Sequence, residues 1–233
     1  MNAPVIDKPG SAVARTAPGR FITFEGGEGA GKSTQMRHLA ARLEEAGVRV
    51  VATREPGGSP RAEVLRAALL SGKAAGLGAF GEAVLFGAAR IDHIDTLIRP
   101  ALAGGAWVVC DRFADSTRAY QGAAGKAKPE LIAALERVVV GPMKPDLTIL
   151  LDLDPEAGLA RARARAGEGA ADRFEGEQIA FHAALRAAFR DIARKEPGRV
   201  RVVDAARPEH EIADDIWALT RDAFPAELKR GGA

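Results

Sequence analysis

The stretch that decides the fold lies near the N-terminus and reads Phe21-Ile22-Thr23-Phe24-Glu25-Gly26-Gly27-Glu28-Gly29-Ala30-Gly31-Lys32-Ser33-Thr34. Its residues 26–33 match the pattern GxxxxGK[ST] in full, between an apolar run typical of a buried strand and a run with helical periodicity. Glycines let such a loop curl until successive backbone N–H groups converge on phosphate oxygens, and the following helix adds the positive end of its dipole. A glycine-rich turn without a ligand is the alternative, but it would leave the Lys-Ser pair incidental. The stretch therefore predicts a strand, a phosphate-binding loop and a helix.

The rest of the chain alternates short β-rich runs with longer amphipathic ones. Further strands are predicted at 48–53, 107–110, 147–151 and 199–203. The helices predicted after the first are 59–70, 80–103, 116–123, 129–140, 155–166, 177–195 and 208–222. Parallel neighbouring strands need crossover connections, which these helices supply. We therefore predict an α/β chain with a P-loop NTPase fold: a doubly wound, mainly parallel five-stranded sheet flanked by helices, with ligands at the carboxyl ends of the strands.

One domain is predicted over residues 20–225, between an N-terminal tail at 1–19 and a short C-terminal tail at 226–233. The N-terminal tail has three prolines and no apolar run of signal-peptide length. Within the domain, residues 161–171 read RARARAGEGAA, and the glycines disfavour a continuous helix there. We predict a mobile lid at about 161–174.

Composition excludes several classes of protein. The 233 residues are 47% hydrophobic and 27% charged, and no apolar segment approaches the roughly 20 residues needed to span a bilayer. Lysine and arginine number 33 against 31 acidic residues, and aromatic residues are 5%, which suits neither a basic nor a base-stacking nucleic-acid surface. The single cysteine, Cys110, excludes an intrachain disulfide and is consistent with a reducing compartment. We expect a cytoplasmic protein with neither a membrane nor a nucleic-acid partner.

Two further observations narrow what a bound nucleotide is for. Asn2 is the only asparagine, so the NKxD motif of a regulatory GTPase is absent from this sequence. A kinase for a small phosphorylated molecule must bring two anions together, and an acceptor monophosphate carries about −1.5 to −2 charges at neutral pH. Such an enzyme needs arginines outside the phosphate-binding loop. The candidates follow predicted strands and are Arg54, Arg112, Arg161, Arg163, Arg165 and Arg173.

The phosphate-binding loop and the end of the 107–110 strand predict a site for ATP and Mg²⁺. The residues expected at the ATP phosphates are Gly26, Gly27, Glu28, Gly29, Ala30, Gly31, Lys32, Ser33 and Thr34. Lys32 should reach the β- and γ-phosphates, and the Ser33 hydroxyl should meet Mg²⁺. Asp111 ends a buried strand and is expected to hold Mg²⁺ directly or through water, with helix N-capping as the alternative.

The chain resembles the thymidylate kinases in four ordered blocks. These read FEGGEGAGKST at 24–34, TREPGG at 53–58, LFGAAR at 85–90, and DRF at 111–113 followed by STRAYQG at 116–122. The first block is shared with many NTPases, whereas the second and fourth are much more specific in this order and spacing. The resemblance implies transfer of the γ-phosphoryl group of MgATP to dTMP, giving dTDP for dTTP biosynthesis. It also implies a homodimer, formed through the helix predicted at Phe80–Ala103.

The resemblance further implies roles in binding dTMP. Arg54 and Arg112 would hold the acceptor phosphate, Phe86 would stack on thymine, and Arg90 would contact the edge of the base. Glu28 would receive the 3′-hydroxyl of the sugar. The remaining residues implied at dTMP are Ser116, Thr117, Tyr120 and Gln121, with Thr117 and Gln121 contacting the pyrimidine and Tyr120 crowding the second carbon of the sugar.

The catalytic arginine of this family lies either in the phosphate-binding loop or in the lid. Residues 27–30 contain no basic residue, so the chain resembles the bacterial type with lid arginines. Arg161 and Arg165 are four apart and would share a helix face, whereas Arg163 would point elsewhere. The catalytic residues implied are Lys32, Arg112, Arg161, Arg165 and Arg173. Gly87, where many relatives have a tyrosine, and a longer 167–171 segment are departures from the family.

Two other functions compete with this interpretation. Another nucleoside monophosphate kinase is the nearest, and the blocks at 53–58 and 116–121 disfavour it. A nucleotide-binding regulatory module that hydrolyses or senses ATP, without an acceptor, is the alternative from a different class.

Overall fold

The computed structural model describes residues 19–166, 174 and 177–228. Residues 1–18 of the predicted N-terminal tail, the part of the predicted lid at 167–173 and residues 229–233 of the predicted C-terminal tail lie outside the described residues. Arg173 and the 167–171 segment are among them.

The centre of the molecule is one five-stranded parallel sheet. Its strands are β1 (Phe21–Gly26), β2 (Val50–Arg54), β3 (Trp107–Asp111), β4 (Leu147–Asp152) and β5 (Val200–Asp204). The strand order is β2-β3-β1-β4-β5, and all four neighbouring pairs are parallel. The doubly wound α/β fold is therefore confirmed, with a sheet that is wholly rather than mainly parallel.

Helices connect the strands. In the described residues they are α1 (Lys32–Glu45), α2 (Pro60–Leu70), α3 (Gly78–His93), α4 (Arg99–Ala103), α5 (Ala114–Thr117), α6 (Pro129–Val139), α7 (Pro155–Ala166), α8 (Ile179–Lys195), α9 (Glu209–Ala223) and α10 (Pro225–Leu228). Most of the predicted helices therefore end within one or two residues of their observed bounds.

Two predicted helices contain wide π-type turns. The helix predicted over 80–103 is α3 and α4, joined by such a turn at Ile94–Ile98. Pro100 lacks the N–H that would bond back four residues, and its ring crowds that carbonyl, so the backbone widens ahead of it. The helix predicted over 116–123 is α5 followed by a wide turn at Arg118–Ala124. Such turns are frequent at functional sites, and the second one carries predicted dTMP-binding residues.

Apolar side chains bury both faces of the sheet. On one face, Ile22 and Phe24 of β1 pack in the same cluster as Leu39 of α1 and Ile216 of α9. Phe21, which precedes Ile22 and points to the opposite face, packs with side chains of the α3–α4 region and α6. Because successive strand residues point to opposite faces, a strand covered on both sides is a continuous apolar run, as the sequence predicts.

Among the described residues, no single helix has both the length and the apolar character of a membrane span, although the bent pair Pro60–Leu70 and Ala75–Ala103 meets that requirement when taken together.

Candidate active site

A cavity of about 400 Å³ opens where β1, β2 and β3 end. This is the carboxyl edge of the sheet, where ligands gather in open α/β folds. The predicted site residues that line it are Glu28, Gly29, Gly31, Lys32, Ser33, Thr34, Arg54, Phe86, Arg90, Asp111, Arg112, Ser116, Thr117, Tyr120, Gln121 and Arg165. The fold thus brings the predicted ATP side and the predicted dTMP side to the two walls of one cavity.

The phosphate-binding loop forms one wall. The Lys32 ammonium is buried and donates to the carbonyls of Gly27 at 2.8 Å and Gly26 at 3.2 Å. Burial lowers the pKa of Lys32, and the Arg112 charge lowers it further. Because the loop carbonyls hold Lys32 only by neutral acceptors, phosphate oxygens would be stronger partners for it.

A close backbone contact places helix α7 against this loop. A Cβ atom on Gly29 would lie 1.9 Å from the carbonyl oxygen of Gly158 in α7, and one on Gly158 would lie 2.4 Å from that of Glu28. Only glycine fits at either position. The contact directs α7 from the loop towards the cavity, which Arg165 reaches.

Ser33 and Asp111 meet at the base of the loop. The Ser33 hydroxyl donates to Asp111 Oδ2 at 2.5 Å. Within the described part of the chain, the buried Asp111 Oδ1 atom has no hydrogen-bond partner. A hydroxyl and a carboxylate with an unused oxygen are the hard donors that Mg²⁺ prefers, so these residues fit the ion.

Glu28, Arg112 and Tyr120 form a bonded group beside the loop. Arg112 donates to Glu28 Oε1 at 2.7 Å and to the Gly26 carbonyl at 3.1 Å, and the Tyr120 hydroxyl donates to Glu28 Oε1 at 2.5 Å. Burial would raise the pKa of Glu28, but the charges of Arg112 and Lys32 and the bond from Tyr120 outweigh it and lower the pKa to about 2. Glu28 is therefore a carboxylate at neutral pH.

Arg112 is held in an uncommon conformation. Its backbone φ is 69°, a left-handed value that costs a residue with a Cβ free energy. The backbone that follows Arg112 is bonded to Glu25 at the end of β1. Glu25 accepts hydrogen bonds from Phe113 N at 2.8 Å and from Ser116 N at 3.2 Å. The Ser116 hydroxyl donates to Glu25 at 2.7 Å. These bonds fix the backbone that carries Arg112 into the cavity.

Arg54 differs from Arg112 in its surroundings. It follows β2 and donates to both oxygens of Glu63 at 3.0 and 3.2 Å, but its side chain is 53% exposed. Glu63 also accepts from the Gly58 backbone N–H at 2.9 Å. Arg54 is therefore aligned at the cavity edge by an exposed ion pair, which an anion could replace or share.

Phe86 and Arg90 project from α3 into the same cavity. Phe86 lies 6.5 Å from Phe174, centroid to centroid, with the rings tilted by 44°. Arg90 is 5% exposed and donates to Glu55 at 2.6 Å, to the Phe113 carbonyl at 3.1 Å and to the Thr117 hydroxyl at 3.2 Å. Arg90 is thus a buried, fully oriented cation at the apolar end of the cavity.

The structure separates the predicted lid arginines. Arg165 lines the cavity, whereas Arg161 donates to the carbonyl of Ala205, just after β5, at 3.0 Å. The α7 helix thus sends the two side chains to different places, although they are four residues apart. Arg163 is exposed, and Arg173 lies outside the described residues.

Several residues of the site are not predicted from the sequence. The cavity is also lined by Arg37 of α1 and by Arg66 and Leu70 of α2. Glu25 and Glu55 were assigned no role, although both are buried carboxyls. A charged residue within a strand or at its end is a signal that could have identified them, because carboxyls are almost never fully buried unless paired.

The phosphate-binding loop, the Ser33–Asp111 pair and the arginines across the cavity define a P-loop phosphotransferase. A sequence model of the family described as thymidylate kinase matches residues 24–216. The chain belongs to the thymidylate kinase family.

Individual relatives agree with this assignment. The chain is 57% identical over 213 residues to thymidylate kinase from Bradyrhizobium diazoefficiens, covering 91% of this chain and 93% of the relative. It is 58% identical over 211 residues to thymidylate kinase from Rhodopseudomonas palustris strain TIE-1, covering 90% of this chain and 91% of the relative. The crystal structure of thymidylate kinase from Ehrlichia chaffeensis matches with a TM-score of 0.70 and 36% identity, over 88% of this chain and 99% of that one.

Proposed function

We propose that the cavity is the site at which the γ-phosphoryl group of ATP is transferred to the 5′-phosphate of dTMP. The chain is a dTMP kinase by its family, and the product is dTDP. The observation that carries the site assignment is the arrangement of the cavity, with a phosphate-binding loop on one wall and Arg54, Arg90 and Arg112 on the other. Positioning and charge neutralisation account for most of the catalysis of such transfers.

In this proposal the donor phosphates lie in the loop of residues 26–34. Lys32 leaves the carbonyls of Gly26 and Gly27 and binds oxygens of the β- and γ-phosphates. Ser33 and Asp111 would hold Mg²⁺, which would supply positive charge to the phosphate oxygens. The α1 N-terminus adds the positive end of a helix dipole.

The acceptor lies on the opposite wall. Arg54 and Arg112 hold its phosphate, with Ser116 beside them. The thymine ring lies against Phe86, with its polar edge towards Arg90, Thr117 and Gln121. The carboxylate of Glu28 accepts from the sugar 3′-hydroxyl, and Tyr120 lies against the sugar. Arg112 touches both Glu28 and the loop, so it can link the acceptor phosphate to the donor side.

The transfer itself then needs only alignment. An oxygen of the dTMP phosphate attacks the γ-phosphorus in line, the bond from the γ-phosphorus to the bridging oxygen breaks, and ADP leaves with that electron pair. Arg165, which lines the cavity, is the lid arginine we place at the transferred group. The catalytic roles of Arg161 and Arg173 stay predictions from the sequence. An arginine in this role is worth about 10³–10⁵ in rate in other phosphoryl transferases.

A coupled ADP-release assay tests the reaction. We expect ADP formation from MgATP to require dTMP and to be slower with CMP, GMP or AMP. Equal rates with all four acceptors would overturn the substrate assignment. Equal ATP turnover with and without dTMP would instead favour the ATPase or regulatory module.

The exposed face of α3 supports a homodimer. Its apolar side chains Phe80, Val84 and Ile91 are exposed, and so are Val64 of α2 and Val138 of α6. Both α2 and α6 pack beside α3. Exposed apolar surface of this kind marks an interface. Light scattering should give twice the chain mass, and Val84→Glu should give a monomer; a monomeric parent protein would refute the proposal.

We also retain the predicted organisation and compartment as proposals. The chain is one kinase domain over 20–225 with a lid at about 161–174 and tails at 1–19 and 226–233. The buried Cys110 thiol, whose pKa burial raises, suits a reducing cytoplasm but does not require one. Limited proteolysis that cuts first at 1–19 and 161–174 would support the organisation, and first cuts elsewhere would contradict it.

A further inference from the structure

At the Arg90 end of the cavity lies a buried polar cluster of Thr53, Glu55, Arg90 and His93, of which Glu55 and Arg90 line the cavity. Glu55 accepts from Arg90 Nε at 2.6 Å with one oxygen and faces His93 Nδ1 at 3.0 Å with the other. His93 Nε2 lies 2.8 Å from the Thr53 hydroxyl. All four side chains are buried. Because a carboxylate can only accept, His93 carries a proton on Nδ1 and donates a hydrogen bond to Glu55.

The hydrogen bonds of Arg90 to the protein do not use all of its N–H donors. A guanidinium has five N–H groups, and three acceptors hold Arg90 in the described part of the chain: Glu55, Thr117 and the Phe113 carbonyl. Among the described residues, one N–H on each of Nη1 and Nη2 therefore has no acceptor, and the Arg90 side chain lines the cavity. Two N–H donors can bind a keto oxygen, which accepts hydrogen bonds. They cannot bind an amino group, which is itself a donor.

His93 also supports the loop that carries Arg54. Gly58 packs so closely on the imidazole that a Cβ there would lie 2.4 Å from His93 Nε2 and 2.5 Å from Thr53 Oγ1. The residue pair Glu55 and His93 therefore joins the 54–58 loop to α3. Neither side chain needs to touch a ligand to determine where Arg90 points.

We propose that Glu55 and His93 are positioning residues that aim Arg90 at the keto oxygen of thymine, and so determine the preference for dTMP over dCMP. The proposal rests on the proposed function, because it assumes that dTMP lies in this cavity with its base towards Arg90. A misaimed Arg90 would lose its bond to the keto oxygen and would also oppose the amino group of cytosine less strongly. A site that hydrogen-bonds one group of its substrate rejects an analogue only if the donors of the site are aimed at that group.

Two substitutions of His93 test it, one that keeps a donor to Glu55 and one that removes it. His93→Asn places an amide nitrogen close to the position of Nδ1 and can still donate to Glu55, whereas His93→Leu cannot. We expect His93→Leu to raise the KM for dTMP and to lower the ratio of kcat/KM for dTMP to that for dCMP by about 10-fold. His93→Asn should keep most of the ratio. The ratio for dTMP to dUMP should stay unchanged in both, because uracil has the same keto oxygen, and so should the KM for ATP.

His182→Leu is the matched control. His182 is a buried histidine of α8 and does not line the cavity. Its replacement should leave the dTMP to dCMP ratio unchanged.

The outcomes separate this proposal from the proposed function. If the parent enzyme does not phosphorylate dTMP, the proposed function fails. If it does, an unchanged dTMP to dCMP ratio in His93→Leu, or an equal fall in His93→Asn, overturns the positioning role. Should His93→Leu not fold, Thr53→Val, which keeps the side-chain shape but releases His93 Nε2, should lower the ratio by about 3-fold. An unchanged ratio there would overturn the proposal.

Discussion

The end of β1 and the phosphate-binding loop differ in how they hold a carboxyl group, although Glu25 and Glu28 are three residues apart. Burial and the nearby charge of Asp115 raise the pKa of Glu25 to about 7. Arg112 and Lys32 lower the pKa of Glu28 to about 2, against the effect of burial. The Glu25 residue is 1% exposed and the Glu28 side chain 13%. Burial sets the cost of a charge, and the partner decides whether the charge persists.

The two carboxyls accordingly organise different parts of the site. Glu25 accepts from the backbone after Arg112, and thereby holds the chain. Glu28 accepts from the side chains of Arg112 and Tyr120, and thereby holds the groups that face the cavity. Glu25 therefore stabilises the backbone of the fold, whereas Glu28 orients side chains of the candidate active site.

The largest effect should come from removing the cation that lies beside both carboxyls. Lys32→Ala takes away a positive charge that interacts with Glu25 and Glu28, and the group proposed at the transferred phosphates. We expect kcat to fall by about 10³-fold, with little change in the melting temperature. Steady-state kinetics and a thermal melt measure both. A protein that unfolds, while its folded fraction keeps full activity, would contradict the role.

The opposite pKa shifts predict opposite dependences of stability on pH. Glu28 binds its proton less tightly in the folded protein. Its contribution to the free energy of unfolding is therefore present above pH 4.5 and is lost as the pH falls from 4.5 towards 2. That contribution is about 3 kcal/mol. Glu25 binds its proton more tightly when folded, so its contribution is lost as the pH rises from 4.5 to 7.

Urea unfolding across pH 3 to 8 measures these dependences. Glu28→Gln should flatten the acid limb of the parent protein, and Glu25→Gln should flatten the fall between pH 4.5 and 7. If the two variants change the same limb, the contrast between the two carboxyls is wrong.

Arg54 should show a smaller effect, because its partner Glu63 is in contact with solvent. Arg54→Ala should raise the KM for dTMP by about 10-fold through the loss of a phosphate contact, with kcat and the KM for ATP nearly unchanged. The exposed ion pair with Glu63 should contribute at most about 1 kcal/mol to stability. An unchanged KM for dTMP would refute the phosphate contact.

The smallest effect is expected at an ion pair that is shorter than those of Arg54 and Arg112 but faces water. Arg42 of α1 lies 2.5 Å from Asp214, whose side chain is 66% exposed. Arg42→Ala should change the free energy of unfolding by about 0.5 kcal/mol and leave kcat unchanged. A loss comparable to that of Glu28→Gln above pH 5 would mean that distance, rather than burial, governs these pairs.

Much of the fold and the phosphate-binding loop could be predicted from the sequence, because both depend on neighbouring residues. The alternation of strands and helices and the parallel sheet are confirmed, and strand ends such as Arg54 and Asp111 lie within a residue of their expected places. The wide turn before Pro100 was missed, since it depends on how an interrupted hydrogen-bond ladder relaxes.

The site was predicted less completely. The four sequence blocks placed Arg54, Phe86, Arg90 and Arg112 around one ligand by resemblance, and the structure brings them to one cavity. Spacing put Arg161 and Arg165 together, but contacts with the end of β5 take Arg161 elsewhere. The packing of α7 on the loop, through Gly29 and Gly158, is a contact between segments far apart in the chain.

The sequence by itself determined a parallel α/β sheet with a phosphate-binding loop at its edge, because strand burial, helix periodicity and glycine placement act over a few neighbouring residues. Only the tertiary structure decided that the charges of Arg112 and Lys32 lower the pKa of Glu28 to about 2, and that burial raises the pKa of Glu25 to about 7. It also decided that Glu55 bonds both Arg90 and His93. The charge and orientation of a buried group depend on distances to residues 30 to 90 positions away, which the fold sets and no local pattern contains.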